Sequence, residues 1–281
     1  MQGVSGPAQF AVQAMVCQQG TVKAEEIARQ PLRSVIATET ISGPHFRLTV
    51  QADEKNSRFV CSRGPVTQVL AVSVCPNDVW PRQWTPVPAG SYEPEWPVPG
   101  LYGTSVPAGS GEGGQSILIQ RGWINRRLGR YGWRMKVTYI ACWPHACLTA
   151  AVIAGAGTIP VDDCTAWAPP APGLPGAYGI VYDALGGGQE AVSCTAASAV
   201  SGPGTLTLAS PLAYGHAAGI MVSALPQTAI WAAALLAGEA ALMRGATATT
   251  IQTTSGRQQT VTGSILRQQA QDMLAPYRVT V

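Results

Sequence analysis

The chain has 281 residues, 46% of them hydrophobic, enough for a packed core in one large domain or two ordinary ones, which argues against a chain disordered throughout. Only 12% are charged, about half the usual share, and the net charge is +3. That charge splits into 14 Lys/Arg against 9 Asp/Glu in residues 1–150 (+5) and 4 against 6 in residues 151–281 (−2), so neither half is a polybasic nucleic-acid arm.

The 31 glycines and 22 prolines make up about a fifth of the chain and predict many turns and short strands. Low charge of this kind also suits a surface covered by neighbouring subunits. The seven cysteines, at 17, 61, 75, 142, 147, 164 and 194, follow no framework spacing. No basic n-region and apolar h-region open the chain, so a reduced, cytosolic setting with thiols is expected.

Residues 7–30 read as helix, with a broken apolar stripe of Phe10, Ala14, Cys17, Val22 and Ile27. Gly20 interrupts the stripe and predicts a kink or two short helices, and Pro31 ends the segment. Strands follow at 33–42 and 45–51, then two more within 57–75 on either side of Gly64-Pro65. Residues 76–116 are dense in proline and carry Trp80, Trp84 and Trp96, which excludes a central sheet and predicts a long, mostly irregular excursion. Tryptophans there would seek burial, for example against a neighbouring subunit.

Strand character resumes at 116–123 and 133–143, on either side of a basic turn at 125–130. Across the second strand Met135, Val137, Tyr139 and Ala141 alternate with Arg134, Lys136 and Thr138, so one face is apolar and the other wet. Arg121, Arg126, Arg127, Arg130 and Arg134, interleaved with aromatics, form the one charge cluster of the chain. It fits phosphate contact with DNA, or equally a solvated turn whose arginines meet acidic groups of a neighbouring subunit.

Residues 148–225 read as short strands between glycine turns, including a hairpin around 186–188, and form a small all-β barrel or sandwich. Helix returns at 226–245, with Pro at its start and Gly just past its end. Its most apolar run, 228–243, contains Glu239 and is shorter than a membrane span, so no membrane partner is expected. Residues 245–261 read as polar loop with one short strand. A last helix, 264–277, places Ile265, Leu266, Gln269, Met273 and Leu274 on one face. Pro276 stops it and leaves an extended tail.

No motif points to catalysis. His45, His145 and His216 have no Ser-x-Gly elbow, paired Cys or carboxylate pair beside them in sequence. Cys142, His145 and Cys147 lack a second Cys/His pair for zinc, and Asp162-Asp163 reads as a turn. The glycine runs at 154–158 and 185–190 lack a phosphate-loop Lys-Ser/Thr. The expectation is a non-enzymatic protein with no metal and no cofactor.

The order of the segments resembles the head–tail connector, or adaptor, proteins of long-tailed bacteriophages. "IARQPLRSVIATETISG" resembles their helix-to-first-strand junction, and "RFVCSRGPVTQVLAVSV" (58–74) is similar to a "PVxxVxSV" strand pair. "WRMKVTYIAC" (133–142) is similar to a "V-x-V-x-Y-x-x-G" strand. "LPQTAIWAAALLAGEAALM" (225–243) resembles the returning helix, and "LRQQAQDMLAPYRV" (266–279) the closing "L-x-P-Y-R" helix and tail. Three departures stand out: the helical segment before residue 7 is shortened, Cys142 replaces the glycine after "VTY", and residues 148–225 are an inserted β module.

The resemblance implies an α+β fold in which short helices at both chain ends accompany an antiparallel sheet. Residues 1–147 and 226–281 would be the connector core and 148–225 the insertion. It further implies a homo-oligomeric, twelvefold ring at the virion neck, made in the host cytoplasm. The ring would contact the portal protein on one side and a tail terminator or stopper on the other, with double-stranded DNA in its lumen. Trp80, Trp84 and Trp96 would then lie at subunit interfaces. Pro276, Tyr277, Arg278, Val279, Thr280 and Val281 would add a strand to the portal. Two other readings remain: a nucleic-acid-binding module using the Arg/aromatic hairpin 120–143, and a tail-associated carbohydrate-binding β protein carried by residues 148–225.

Overall fold

The computed structural model describes residues 7–42, 56–76, 80–94, 116–120, 133–169, 176–183, 188–243, 250–252, 258–260 and 263–277. The chain is α+β, and it divides into two compact units, one drawn from Met1–Leu32 and Pro226–Thr280, the other from Arg33–Leu225.

The first unit joins helices from both chain ends: α1 (Pro7–Ala28), α2 (Gln227–Met243) and α3 (Gly263–Leu274), with a two-stranded hairpin, Thr250–Gln252 against Gln258–Thr260. The polar stretch before α3 thus supplies two paired strands, not one. Helix α1 runs as one element through Gly20, not as two short helices. Gly20 faces α2 so closely that an added Cβ would lie 2.4 Å from the Ala233 carbonyl oxygen and 2.8 Å from Ala237 Cβ. The glycine permits close approach of two helices, and that packing offsets its poor helix propensity.

Helix α2 carries one charged residue, Glu239, and buries it to 3% exposure. Lys23 Nζ on α1 lies 3.5 Å from one carboxylate oxygen and Arg267 Nη2 on α3 lies 2.6 Å from the other. A desolvated carboxylate persists only with such partners, and here each partner comes from a different helix. Helix α3 buries Ala270 and Leu274, whereas Gln269, expected on the inner face, is exposed. Beyond α3 the chain does not become extended at Pro276: Ala275–Tyr277 form a turn of 3-10 helix.

The second unit is built of strands: β1 (Val35–Ser42), β2 (Asn56–Val60), β3 (Val66–Pro76), β4 (Thr85–Pro86), β5 (Tyr92–Pro94), β6 (Ser116–Gln120) and β7 (Trp133–Ala141). These make two antiparallel sheets, ordered β1-β7-β3-β4 and β2-β6-β5. In the first, Met135, Val137, Tyr139 and Ala141 of β7 are fully buried and Lys136 is exposed, as the alternation predicts. The pairing expected between 116–123 and 133–143 does not occur. β7 is bonded to β1 on one edge (Val35↔Ala141 to Ser42↔Arg134) and to β3 on the other (Val66↔Ala141 to Pro76↔Trp133), leaving no edge for β6. β6 pairs instead with β2 and β5. The proline-rich excursion contributes β4 and β5, both short edge strands containing a proline, the position where a missing N–H is tolerated.

Six further strands, β8 (His145–Cys147), β9 (Thr158–Val161), β10 (Tyr178–Asp183), β11 (Gly188–Ala197), β12 (Gly204–Leu208) and β13 (Met221–Ser223), form one sheet ordered β8-β13-β10-β11-β12-β9. The sheet curls until its edges meet. Leu148, just past β8, bridges to Val161; Thr149 N–H donates to Pro160 O (3.1 Å) and Asp162 N–H to Cys147 O (3.0 Å). The enclosed core includes Ile159, Trp167, Val181, Leu206 and Val222. Gly179 makes room for Trp167, whose ring would lie 2.7 Å from an added Cβ.

Two substitutions test the helical unit. Gly20→Ala is expected to destabilise it by about 1–3 kcal/mol, opposite in sign to helix propensity, because backbone must shift to admit the methyl. Arg267→Ala is expected to cost about 3 kcal/mol, since it leaves a buried carboxylate short of its nearer cation. Denaturant unfolding followed by far-ultraviolet circular dichroism measures both, with Gln268→Ala on the exposed face of α3 as the near-neutral control.

Candidate functional site

Of the five arginines singled out, Arg134 is described; Arg121, Arg126, Arg127 and Arg130 lie outside the described residues. Arg134 opens β7, opposite Ser42 on β1 and Cys75 on β3, and is half-buried with partners inside the fold. Its position is therefore a central strand, not a turn tip.

Trp80 is 83% exposed, and the Arg82 guanidinium carbon sits 5.8 Å from its ring centroid. This cation–π contact is worth about 0.5–1 kcal/mol at such a site. Trp84 is half-buried beside β4, and Trp96 lies outside the described residues. Among the closing residues, Tyr277 is held twice: its hydroxyl lies 2.6 Å from Thr228 Oγ1, and its carbonyl accepts from Gln30 Nε2 at 2.9 Å. Pro276 is exposed beside it; Arg278, Val279, Thr280 and Val281 lie outside the described residues.

The Cys142–His145–Cys147 run does not converge. The buried Cys142 thiol points to the Gly64 carbonyl (3.6 Å), and His145 Nδ1 lies 3.1 Å from Ser223 Oγ on β13. Among the described residues, no three His, Cys, Asp or Glu side chains are arranged to hold a metal. The six described cysteines are thiols. Burial pushes the Cys61 thiol far up, and the nearby Glu39 carboxylate adds to this. Asp162 and Asp163 turn inward to backbone: Asp162 Oδ1 accepts from Cys147 N–H (2.6 Å), and Asp163 Oδ1 from Thr165 N–H (2.9 Å) and Gly202 N–H (3.1 Å).

Two polar clusters are invisible in the linear sequence. Glu39 on β1 accepts from the Ser62 N–H (3.1 Å), the Ser62 hydroxyl and the Tyr139 hydroxyl of β7. It thereby ties the turn before β3 to the sheet. Tyr139 is fully buried, and burial followed by this hydrogen bond keeps its phenol protonated.

The second cluster lies at one end of the curled sheet. His216, 3% exposed, has Nδ1 3.2 Å from Asp183 Oδ2 and Nε2 2.7 Å from Glu190 Oε1. Asp183 ends β10 and Glu190 lies near the start of β11, so adjacent strands supply the two carboxylates. Each ring nitrogen thus faces a carboxylate oxygen. Because the carboxylates take opposite edges of the ring, they do not meet at a common point where a metal could sit. Glu190 also accepts from the Ala213 N–H (2.7 Å) and Tyr214 N–H (3.2 Å). Burial alone would raise the Glu190 carboxyl, but these two amides and His216 hold it below the ordinary carboxylate value.

No catalytic constellation follows from this geometry. The His216 ring is wholly enclosed, with no side-chain surface exposed. Sequence places no carboxylate pair beside a histidine, and the fold supplies one: Asp183 and Glu190, 33 and 26 residues away, are brought to His216 by the strand pairing. Among the described residues, no helix is long and apolar enough to cross a membrane. Comparison with family models, with curated proteins and with solved structures finds no match.

His145 supplies a pH test. Burial first, then Arg33, lowers its imidazole from 6.5 to about 4, against the opposing pull of Asp162 and Asp163. The unfolded chain therefore binds a proton between about 6.5 and about 4 that the folded chain refuses, and stability falls as pH drops through that window. Ring-proton NMR should show a histidine neutral down to about pH 4, and His145→Asn should flatten the slope of stability against pH in that window.

Proposed function

We propose that this chain is a structural, non-enzymatic subunit of a phage head–tail adaptor ring, seated between the portal and the tail with DNA passing through its lumen. The observation that carries the reading is how the segments behind the resemblance assemble. The first-strand junction, the "PVxxVxSV"-like strand and the "V-x-V-x-Y"-like strand are β1, β3 and β7, neighbours in one sheet with β7 at the centre. The returning and closing helices are α2 and α3, which pack in one unit with α1. Segments that matched only as a collinear order are therefore also spatial partners.

Cys142 adds support. The resembling pattern has glycine there, and Cys142 adopts φ 72°, the left-handed region glycine occupies without strain. The exposed Trp80–Arg82 pair is compatible with a subunit contact, and residues 278–281, which follow the anchored Tyr277, with strand addition to the portal. The nucleic-acid reading rests on five arginines of which Arg134 alone is described, and the strands flanking them, β6 and β7, pair with other strands and not with each other.

The test is the mass of the purified chain, alone and with portal, by light scattering and negative-stain imaging. A ring, or an assembly that forms on portal, is expected. A monomer indifferent to portal that changes only with DNA or glycan overturns the proposal. Truncation after Tyr277 is expected to leave the helical unit folded and to reduce portal attachment. At the strained position, Cys142→Gly should be better tolerated than Cys142→Ala by about 1 kcal/mol, because both lose the thiol but only glycine relieves the left-handed strain.

A further inference from the structure

We propose that Asp183, His216 and Glu190 form an acid-releasable latch that fastens two loops over one end of the curled sheet. The first loop, residues 149–157, joins β8 to β9; the second, residues 210–220, leads from the end of β12 to β13. They are bonded to each other. Val152 and His216 exchange backbone hydrogen bonds in both directions (2.9 Å each), Gly155 N–H donates to Leu212 O (2.8 Å) and Leu212 N–H to Ala156 O (3.0 Å). The pair is fastened to β10 and β11 at the His216 ring and at the Ala213 and Tyr214 amides, and every one of these side-chain contacts ends on Asp183 or Glu190.

Few other groups bear on the ring. The 149–157 loop has no titratable side chain, and the 210–220 loop has only Tyr214 and His216. On β10 the titratable residues are Tyr178, Tyr182 and Asp183, and on β11 they are Glu190 and Cys194. No lysine or arginine lies on any of these elements, so the two carboxylates are the counter-charges these elements offer.

The device works by subtraction. With both carboxylates ionised, the enclosed ring has a carboxylate at each nitrogen. When acid protonates them, those acceptors weaken in a site closed to water, where poorly matched polar groups are costly. Glu190 at the same time weakens as the acceptor for Ala213 and Tyr214. The direction agrees with linkage: a carboxyl held below its ordinary range stabilises the fold above that range and stops doing so as pH falls through the folded value. The relief is local opening, in which the two loops lift together. Ile153 (79% exposed) and Tyr214 (50% exposed) already stand at their tips, so opening enlarges an apolar surface. This inference is independent of the adaptor reading.

The experiment is amide hydrogen exchange on the full chain between pH 6 and pH 3, expressed as protection factors to remove the intrinsic pH dependence. Protection at Val152, Ala213, Tyr214 and His216 is expected to fall at least tenfold across that range. Protection at Cys194 and Ala209, whose amides donate to Ala177 and Ser193 within the sheet, should hold. In Glu190→Gln the loop amides should exchange faster at pH 6 and lose the acid step. Asp183→Asn should shrink the step without abolishing it. Constant protection at the loop amides, simultaneous loss at Cys194 and Ala209, or an unchanged step in Glu190→Gln would each overturn the latch. If Glu190→Gln fails to fold, the wild-type comparison of loop and sheet amides decides alone.

Discussion

The fold turns on one strand that is saturated on both edges. β7 is bonded along its length to β1 and to β3, and the side chains of one face are sealed from water. A strand so placed has no freedom of register, because a slip of one residue would turn Met135, Val137 and Tyr139 to the wet face. It also dictates what its neighbours do. β6 must pair elsewhere, the proline-rich excursion can add only short edge strands, and the chain leaves β7 through the left-handed Cys142 directly into β8. Ser34 joins the sheet to the start of the curled module at two points, through its N–H to Trp143 O (2.8 Å) and its hydroxyl to Thr165 O (3.1 Å).

Around that strand a chain with only 15 acidic residues uses several of them inside the fold. Glu39 gathers a turn and a tyrosine, Glu239 holds three helices by their cations, and Glu190 with Asp183 holds a histidine and two loop amides. Each carboxylate is tied to donors from segments distant in sequence, so each specifies a tertiary arrangement more than it adds net stability.

The same economy bears on function. A buried histidine between two carboxylates looks like catalytic equipment, but its ring has no exposed surface, and among the described residues no group of side chains is arranged to hold a metal. The reading proposed above, a subunit of a phage adaptor ring, would place the exposed tryptophan–arginine pair and the apolar loop tips of the curled module under neighbouring parts.

Local pattern was legible where it is enforced within a few residues. The alternation of β7, the existence of helices α1 and α2, the demotion of the proline-rich stretch from any central sheet and the hairpin at 178–197 all follow from alternation, propensity, end signals and turn chemistry, although the stripe expected on α1 does not hold, since Val22 is exposed and Ala24 and Ala28 are buried. Pairing across the chain was not legible. Gly20 reads as an interruption until Ala233 and Ala237 are brought against it, and 116–120 reads as the partner of 133–141 until β1 and β3 occupy both of that strand's edges. The His216 cluster had only a faint signal, two of the six carboxylates of the second half flanking one hairpin. By itself the sequence determined which residues must alternate, turn or bury; tertiary structure decided which strand meets which edge and which carboxylate meets which donor. The physical reason is that these contacts join segments tens of residues apart, and nothing local distinguishes a carboxylate destined for solvent from one destined for a buried ring.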